Sequence, residues 1–79
     1  MPLHLNAVAP GEEVFVLSVR GDKPLAVRLL DMGFTPGTRL KVSLCSPSGD
    51  PMVVQLRGYT LSLRREEAAC IFVSREAQP

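Results

Sequence analysis

Along most of this chain apolar and polar positions alternate, and where the alternation fails a helical spacing or a turn takes its place. Thr38 to Cys45 is the clearest strand. Leu40, Val42 and Leu44 fall on one side, and Arg39, Lys41 and Ser43 on the other; parity puts Cys45 with the polar set. Met52 to Leu56 and Tyr59 to Arg64 flank Arg57-Gly58, which predicts a β-hairpin with Gly58 supplying the positive φ. Val14 to Val19 is an unbroken β-branched and aromatic run, expected to be a strand buried on both faces or nearly so. Cys70 to Val73 reads as a last short strand, and Arg65 to Ala69 as one helical turn. The first nine residues fit either a leading strand or a single helical turn.

Between the first two long strands the period changes. Leu25, Leu29 and Met32 recur at spacings of four and three, with Ala26 and Leu30 alongside, which predicts a short amphipathic helix. Asp22 is its expected N-cap, and Pro24 is tolerated in a first turn. The helix stops within Leu29-Leu30-Asp31-Met32-Gly33-Phe34-Thr35-Pro36-Gly37-Thr38. Gly33 fits the C′ position of a Schellman stop, with Phe34 and Leu29 making the apolar contact that accompanies it. Thr35-Pro36-Gly37-Thr38 then fits a type II turn, with Pro36 presetting φ and Gly37 taking the positive φ. Pro10-Gly11 carries the same signal ahead of the first long strand. Five strands with one helix inserted after the first favour a small closed barrel, because closure removes exposed edges.

Composition narrows the function more than it reveals it. The 79 residues make one small domain, with a polar tail at 75–79 expected to fray, and leave little room for a deep catalytic cleft. A net charge of +1 gives no field to draw nucleic acid or an anionic membrane. No basic segment followed by an apolar run opens the chain, and no apolar run approaches the ~20 residues that cross a bilayer, so a cytoplasmic setting with reduced thiols is expected. His4 stands without a second imidazole, and Cys45 and Cys70 are far apart, so no metal-ligand spacing exists; a metal at His4 would need a site shared between chains. Cys70 reads as a small core hydrophobe and Cys45 as the more exposed thiol. No nucleotide loop and no nucleophile motif is present. Neither catalytic nor cofactor-binding residues are therefore expected. Glu12-Glu13 and Glu66-Glu67 read as solvated faces. What remains is contact with another protein, for which Arg28, Met32, Phe34, Arg57 and Tyr59 are the candidates, since interfaces favour Arg, Met and aromatics. Arg57 is expected to project from the hairpin tip, and Met32 and Phe34 to show at the helix corner. Gly33, Pro36, Gly37 and Gly58 are expected to be structural turn residues.

Taken together, three stretches resemble the FeoA family. They are Leu29-Leu30-Asp31-Met32-Gly33-Phe34-Thr35-Pro36-Gly37, Pro47-Ser48-Gly49-Asp50-Pro51, and Arg57-Gly58-Tyr59-Thr60-Leu61-Ser62-Leu63-Arg64-Arg65-Glu66-Glu67-Ala68. The family pattern covers about nine-tenths of the chain, with Ser48 standing where Leu is commoner. The resemblance implies an SH3-like β-barrel. It also implies a non-enzymatic accessory of bacterial ferrous-iron uptake, which binds FeoB, the membrane Fe(II) transporter with a cytosolic GTP-binding domain. No catalytic residue carries over, no cofactor is implied, and weak self-association stays open. The rival from another class is a small metal-binding or metal-sensing module, like the SH3-like domain of iron-dependent repressors; it would need ligands beyond His4, two separated cysteines and scattered carboxylates. A proline-rich-peptide binder fits less well, because such grooves are lined with aromatics and this chain has three Phe, one Tyr and no Trp.

Overall fold

Six antiparallel strands in one sheet carry the chain in the computed structural model, which describes residues 3–48 and 50–77. In chain order they are β1 (Leu3–His4), β2 (Glu13–Val19), β3 (Arg39–Cys45), β4 (Met52–Leu56), β5 (Tyr59–Leu63) and β6 (Ile71–Ser74). Helix α1 (Lys23–Asp31) joins β2 to β3, and a single turn, α2 (Arg65–Ala68), joins β5 to β6. The N-terminal segment is both things its sequence allowed: β1 pairs with β6, and a 3-10 turn follows at Leu5–Ala7. The spatial order is β1-β6-β2-β3-β4-β5. Extents of 30 × 28 × 26 Å show how strongly this sheet curls. Among the described residues the barrel is not closed by a ladder, since β1 and β5 end the sheet without pairing to each other. Leu5 and Ala68 are both fully buried, and α2 packs on the 3-10 turn that carries Leu5.

The core follows from the alternation. Val14, Val16, Leu40, Val42, Val54, Leu56, Leu63, Ile71 and Val73 point inward from the strands, and Leu29 and Phe34 cap one end. Two bulges alter the reading made from parity alone. One between Val16 and Ser18 lets β2 follow β6, and only Val14 and Val16 of that run are buried; Phe15, Leu17 and Val19 are half-buried. The other, between Val42 and Leu44, inserts Ser43 opposite no partner. It reverses the faces beyond it, so Leu44 is 59% exposed while Cys45 turns in and packs against the core. Cys70 is half-buried beside that core, and its thiol donates to the Glu66 carbonyl.

The two Pro-Gly turns work as a reciprocal clamp. Each is type II in form: Glu12 N–H bonds the Ala9 carbonyl around Gly11 (φ +91°), and Thr38 N–H bonds the Thr35 carbonyl around Gly37 (φ +89°). The Gly11 amide then donates to Val42 at 2.7 Å, and the Gly37 amide to Val16 at 2.8 Å. Each turn ahead of one strand is thus pinned to the strand that the other turn starts, which sets the β2–β3 register.

Of the tail expected at 75–79, Arg75 is held by Glu12, and residues 78 and 79 lie outside the described residues.

Candidate partner-binding site

The corner that the sequence singled out is also a place where several polar side-chain contacts converge. Asp22 Oδ1 accepts from Leu25 N–H at 2.9 Å and starts α1. The helix ends as a Schellman stop: Phe34 N–H reaches the Leu29 carbonyl at 3.1 Å, Gly33 N–H reaches Leu30 at 3.0 Å, and Gly33 sits at φ +115°. The β4–β5 hairpin folds against this stop. Tyr59 donates its hydroxyl hydrogen to the Met32 carbonyl, one of the acceptors left free at a helix end. A Cβ on Gly33 would lie 3.0 Å from the Tyr59 hydroxyl and 3.2 Å from Leu56 Cδ1. Glycine is therefore required there by close approach as well as by φ.

Arg57 does not project freely. Its guanidinium donates to Thr35 Oγ1 at 3.0 Å and Thr38 Oγ1 at 3.1 Å, tying the hairpin tip to the Pro36-Gly37 turn. Its backbone has φ +50°, and with Gly58 at +82° the pair forms the two-residue turn whose twist matches a hairpin. The sequence pointed to Gly58 for this geometry and missed that Arg57 shares it.

The other candidates divide. Phe34 is fully buried, so it is a core residue and not a contact residue: the Schellman stop turns its ring inward onto Leu29's end of the core. Met32 is half-buried behind Tyr59, which is 44% exposed. The Arg28 side chain, 60% exposed, pairs with Glu67 across to α2. Glu67 also accepts from Arg64 N–H at 2.8 Å, and Glu12 accepts from Ala9 N–H at 2.9 Å and from Arg75 at 2.6 Å. Neither is the merely solvated carboxylate that adjacency suggested. The Arg75 guanidinium, followed by the Ala9 amide, holds the Glu12 carboxyl below its usual range, and Glu12 in turn raises Arg75.

Outside this corner lies a groove of about 720 Å³, running over the outer face of β3 and β4 and around the hairpin tip. Cross-strand register sets its floor: Glu13 faces Lys41, Lys41 faces Gln55, and Gln55 faces Thr60. Arg39 stands beside Arg57 at the rim, 3.8 Å from the Glu13 carboxylate. Arg39 and Lys41 were legible only as the polar side of one strand; pairing with β4 is what brings them to the hairpin tip. The groove presents cations, amide and hydroxyl groups and one tyrosine, a lining suited to binding and without a nucleophile–base pair. Among the described residues no group of three or more His, Cys, Asp or Glu is placed to hold a metal ion. His4 instead gives Nδ1 to the Ala69 carbonyl at 2.8 Å and lies against the Phe72 ring. Among the described residues no helix is long and apolar enough to cross a membrane.

Comparison with known proteins agrees with this geometry. A FeoA-like protein from Clostridium acetobutylicum superposes with a TM-score of 0.84 at 36% identity, covering 92% of this chain and 85% of that one. The zinc complex of Stenotrophomonas maltophilia FeoA, described as a prokaryotic SH3 domain protein, matches with a TM-score of 0.79 at 27% identity over 94% of this chain and 89% of that one. A manganese-dependent transcriptional repressor shares the fold alone, with a TM-score of 0.85 at 21% identity, covering 92% of this chain and 36% of that one. In sequence, a Porphyromonas gingivalis protein named as a fusion of Fe(2+) transport protein A and the Fe(2+) transporter FeoB is 35% identical over 71 residues. That match takes in 90% of this chain, which spans 8% of the curated relative. The FeoA domain model matches residues 3–75, and the chain belongs to the FeoA domain family.

Proposed function

We propose that this protein is a cytoplasmic, non-enzymatic accessory of ferrous-iron uptake that works by docking on an FeoB-like Fe(II) transporter. The observation that carries this reading is the Porphyromonas gingivalis relative, whose name joins a transport protein A to the transporter in one polypeptide. Covalent linkage holds two modules at high effective concentration; a separate chain needs a binding surface to do the same. The groove at the hairpin tip is the surface proposed for this, with Lys41 exposed on its floor and Arg39 and Tyr59 at its rim. Arg28, Met32 and Tyr59 border the adjacent helix corner and extend the patch. Arg57 contributes by holding the tip in place.

The test is co-purification of this chain with the transporter from membranes, with and without guanine nucleotide. Retention in at least one nucleotide state is expected, and absence from both would overturn the reading. The double variant Arg39→Gln, Lys41→Gln removes both charges at exposed strand positions without setting a carboxylate opposite Glu13, so its unfolding midpoint is expected to stay within about 0.5 kcal/mol of wild type. It is expected to lose co-purification and to lower ferrous-iron uptake in cells.

A further inference from the structure

Helix α1 has one face that the rest of the molecule leaves uncovered. Leu29 is fully buried on one side of the helix, and at 3.6 residues per turn Val27 lies near the opposite pole. Val27 is 47% exposed and Leu30 39%, two of the four large apolar side chains that stand exposed among the described residues. Lys23, Pro24 and Asp31 are exposed on the same face. Spacing about Val27 is symmetrical: Lys23 and Pro24 lie four and three residues before it, Leu30 and Asp31 three and four after. The other charges of α1 and its flanks are engaged elsewhere. Asp22 caps the Leu25 amide, Arg28 pairs with Glu67, and Arg20 lies over the Phe72 ring. The side chains of Lys23 and Asp31 have no partner among the described residues. Each also stands at the wrong end of its own helix. The macrodipole favours an acid at the N-terminus and a base at the C-terminus, whereas α1 begins with Lys23 and ends with Asp31.

A second copy of the same helix answers both the apolar patch and the misplaced charges. In an antiparallel pair related by a two-fold axis at Val27, a residue before Val27 in one chain faces the residue equally far after it in the other. Val27 then meets Val27, Pro24 meets Leu30, and Lys23 meets Asp31, the last two contacts occurring twice by symmetry. Each Lys23 comes to the C-terminal end of the facing helix and each Asp31 to its N-terminal end, where the dipole favours them. We infer that α1 is the self-association face of this chain, forming a two-fold dimer through Lys23, Pro24, Val27, Leu30 and Asp31. A parallel pairing is disfavoured, because it would set Lys23 against Lys23 and Asp31 against Asp31. The strip is only about 12 Å long, so the dimer belongs to the weak, transient class. None of the five residues lines the groove at the hairpin tip, so self-association and docking use separate residues.

The experiment is sedimentation equilibrium of the full chain over a concentration series reaching the millimolar range, with amide spectra of the isotope-labelled chain recorded on dilution. Wild type is expected to pass from monomer to dimer, with the dilution shifts centred on α1, and to dissociate as salt is raised. Lys23→Asp and Asp31→Lys each turn two attractive pairs into two repulsive ones and are expected to weaken the dimer about tenfold. Each also places a charge where its own helix favours it, so the unfolding midpoint is expected to hold or rise while association falls. Combined in one chain, the two changes restore opposite charges across the axis and are expected to associate at least about threefold more tightly than either alone. A monomer throughout the series, single variants of unaltered affinity, or a double variant no tighter than the single ones would each overturn the proposal. So would a dimer whose dilution shifts fall on the groove and not on α1. No transporter is present in this measurement, so its failure leaves the co-purification test standing, and the reverse also holds.

Discussion

At Gly33 two independent constraints meet on one residue. A φ of +115° is strained for any residue with a Cβ, and the space that a Cβ would take is held by Tyr59 and Leu56. Gly33→Ala is expected to cost about 1–3 kcal/mol, read as a drop in denaturant midpoint. If close approach contributes, pairing Gly33→Ala with Tyr59→Phe will destabilise by less than the sum of the single changes. Strict additivity would assign the whole cost to φ. Arg57 shows how a turn residue acquires a second task. As a free tip residue it would tolerate reversal of its charge. Bonded to Thr35 and Thr38, it is expected to lose about 1 kcal/mol in Arg57→Glu, with the midpoint as readout. A loss of transporter binding in that variant would then report the corner's geometry as well as its charge, which makes Arg39 and Lys41 the cleaner probes of docking.

At the scale of elements, the β3 bulge makes a sharp prediction. Val42 and Leu44 have the same parity and similar size, and only one is core. Leu44→Lys is expected to shift the midpoint by no more than about 0.5 kcal/mol, because a 59%-exposed side chain loses little by changing. Val42→Ala is expected to cost about 2 kcal/mol, since its side chain is fully buried. Equal effects at the two positions would mean that the strand is regular and the bulge absent. Phe34 belongs to the same scale. Its burial is a property of the helix stop, which reverses the chain tightly enough to place C″ under the helix it follows.

Over the whole molecule, Glu12 and Arg75 join the start of β2 to the segment after β6, sixty-three positions apart. Arg75 holds the Glu12 carboxyl below its ordinary value of 4.5, so folding favours the ionised form. The stabilisation is present above the unfolded carboxyl's range and is lost as pH falls through the lower folded value. Raising Arg75's already high range has no consequence near neutrality. Unfolding followed from pH 7 downward is expected to show stability falling below about pH 5, and Glu12→Gln to flatten part of that fall. An unchanged profile in Glu12→Gln would show that the pair does not form in solution.

What this chain's sequence determined alone was local. The Asp22 cap, the Schellman stop at Gly33 and both Pro-Gly turns were legible because each closes its hydrogen bonds within five residues. The hairpin was legible for the same reason, and alternation together with the unbroken run at Val14 to Val19 located the four longer strands to within a residue or so. The three stretches around Gly33, Pro51 and Gly58 were enough to carry the family resemblance. What only the tertiary structure decided was long-range. Bulges are set by the partner strand, so parity misassigned Leu44 and Cys45. Arg57's direction depends on Thr35 and Thr38, nineteen and more positions away. The groove joins Arg39 and Lys41 to the hairpin tip through a register that the reciprocal turn clamp and the β3–β4 ladder impose together. Failure to close the sheet is of the same kind: among the described residues no ladder joins β1 to β5, a long-range pairing on which no local pattern bears.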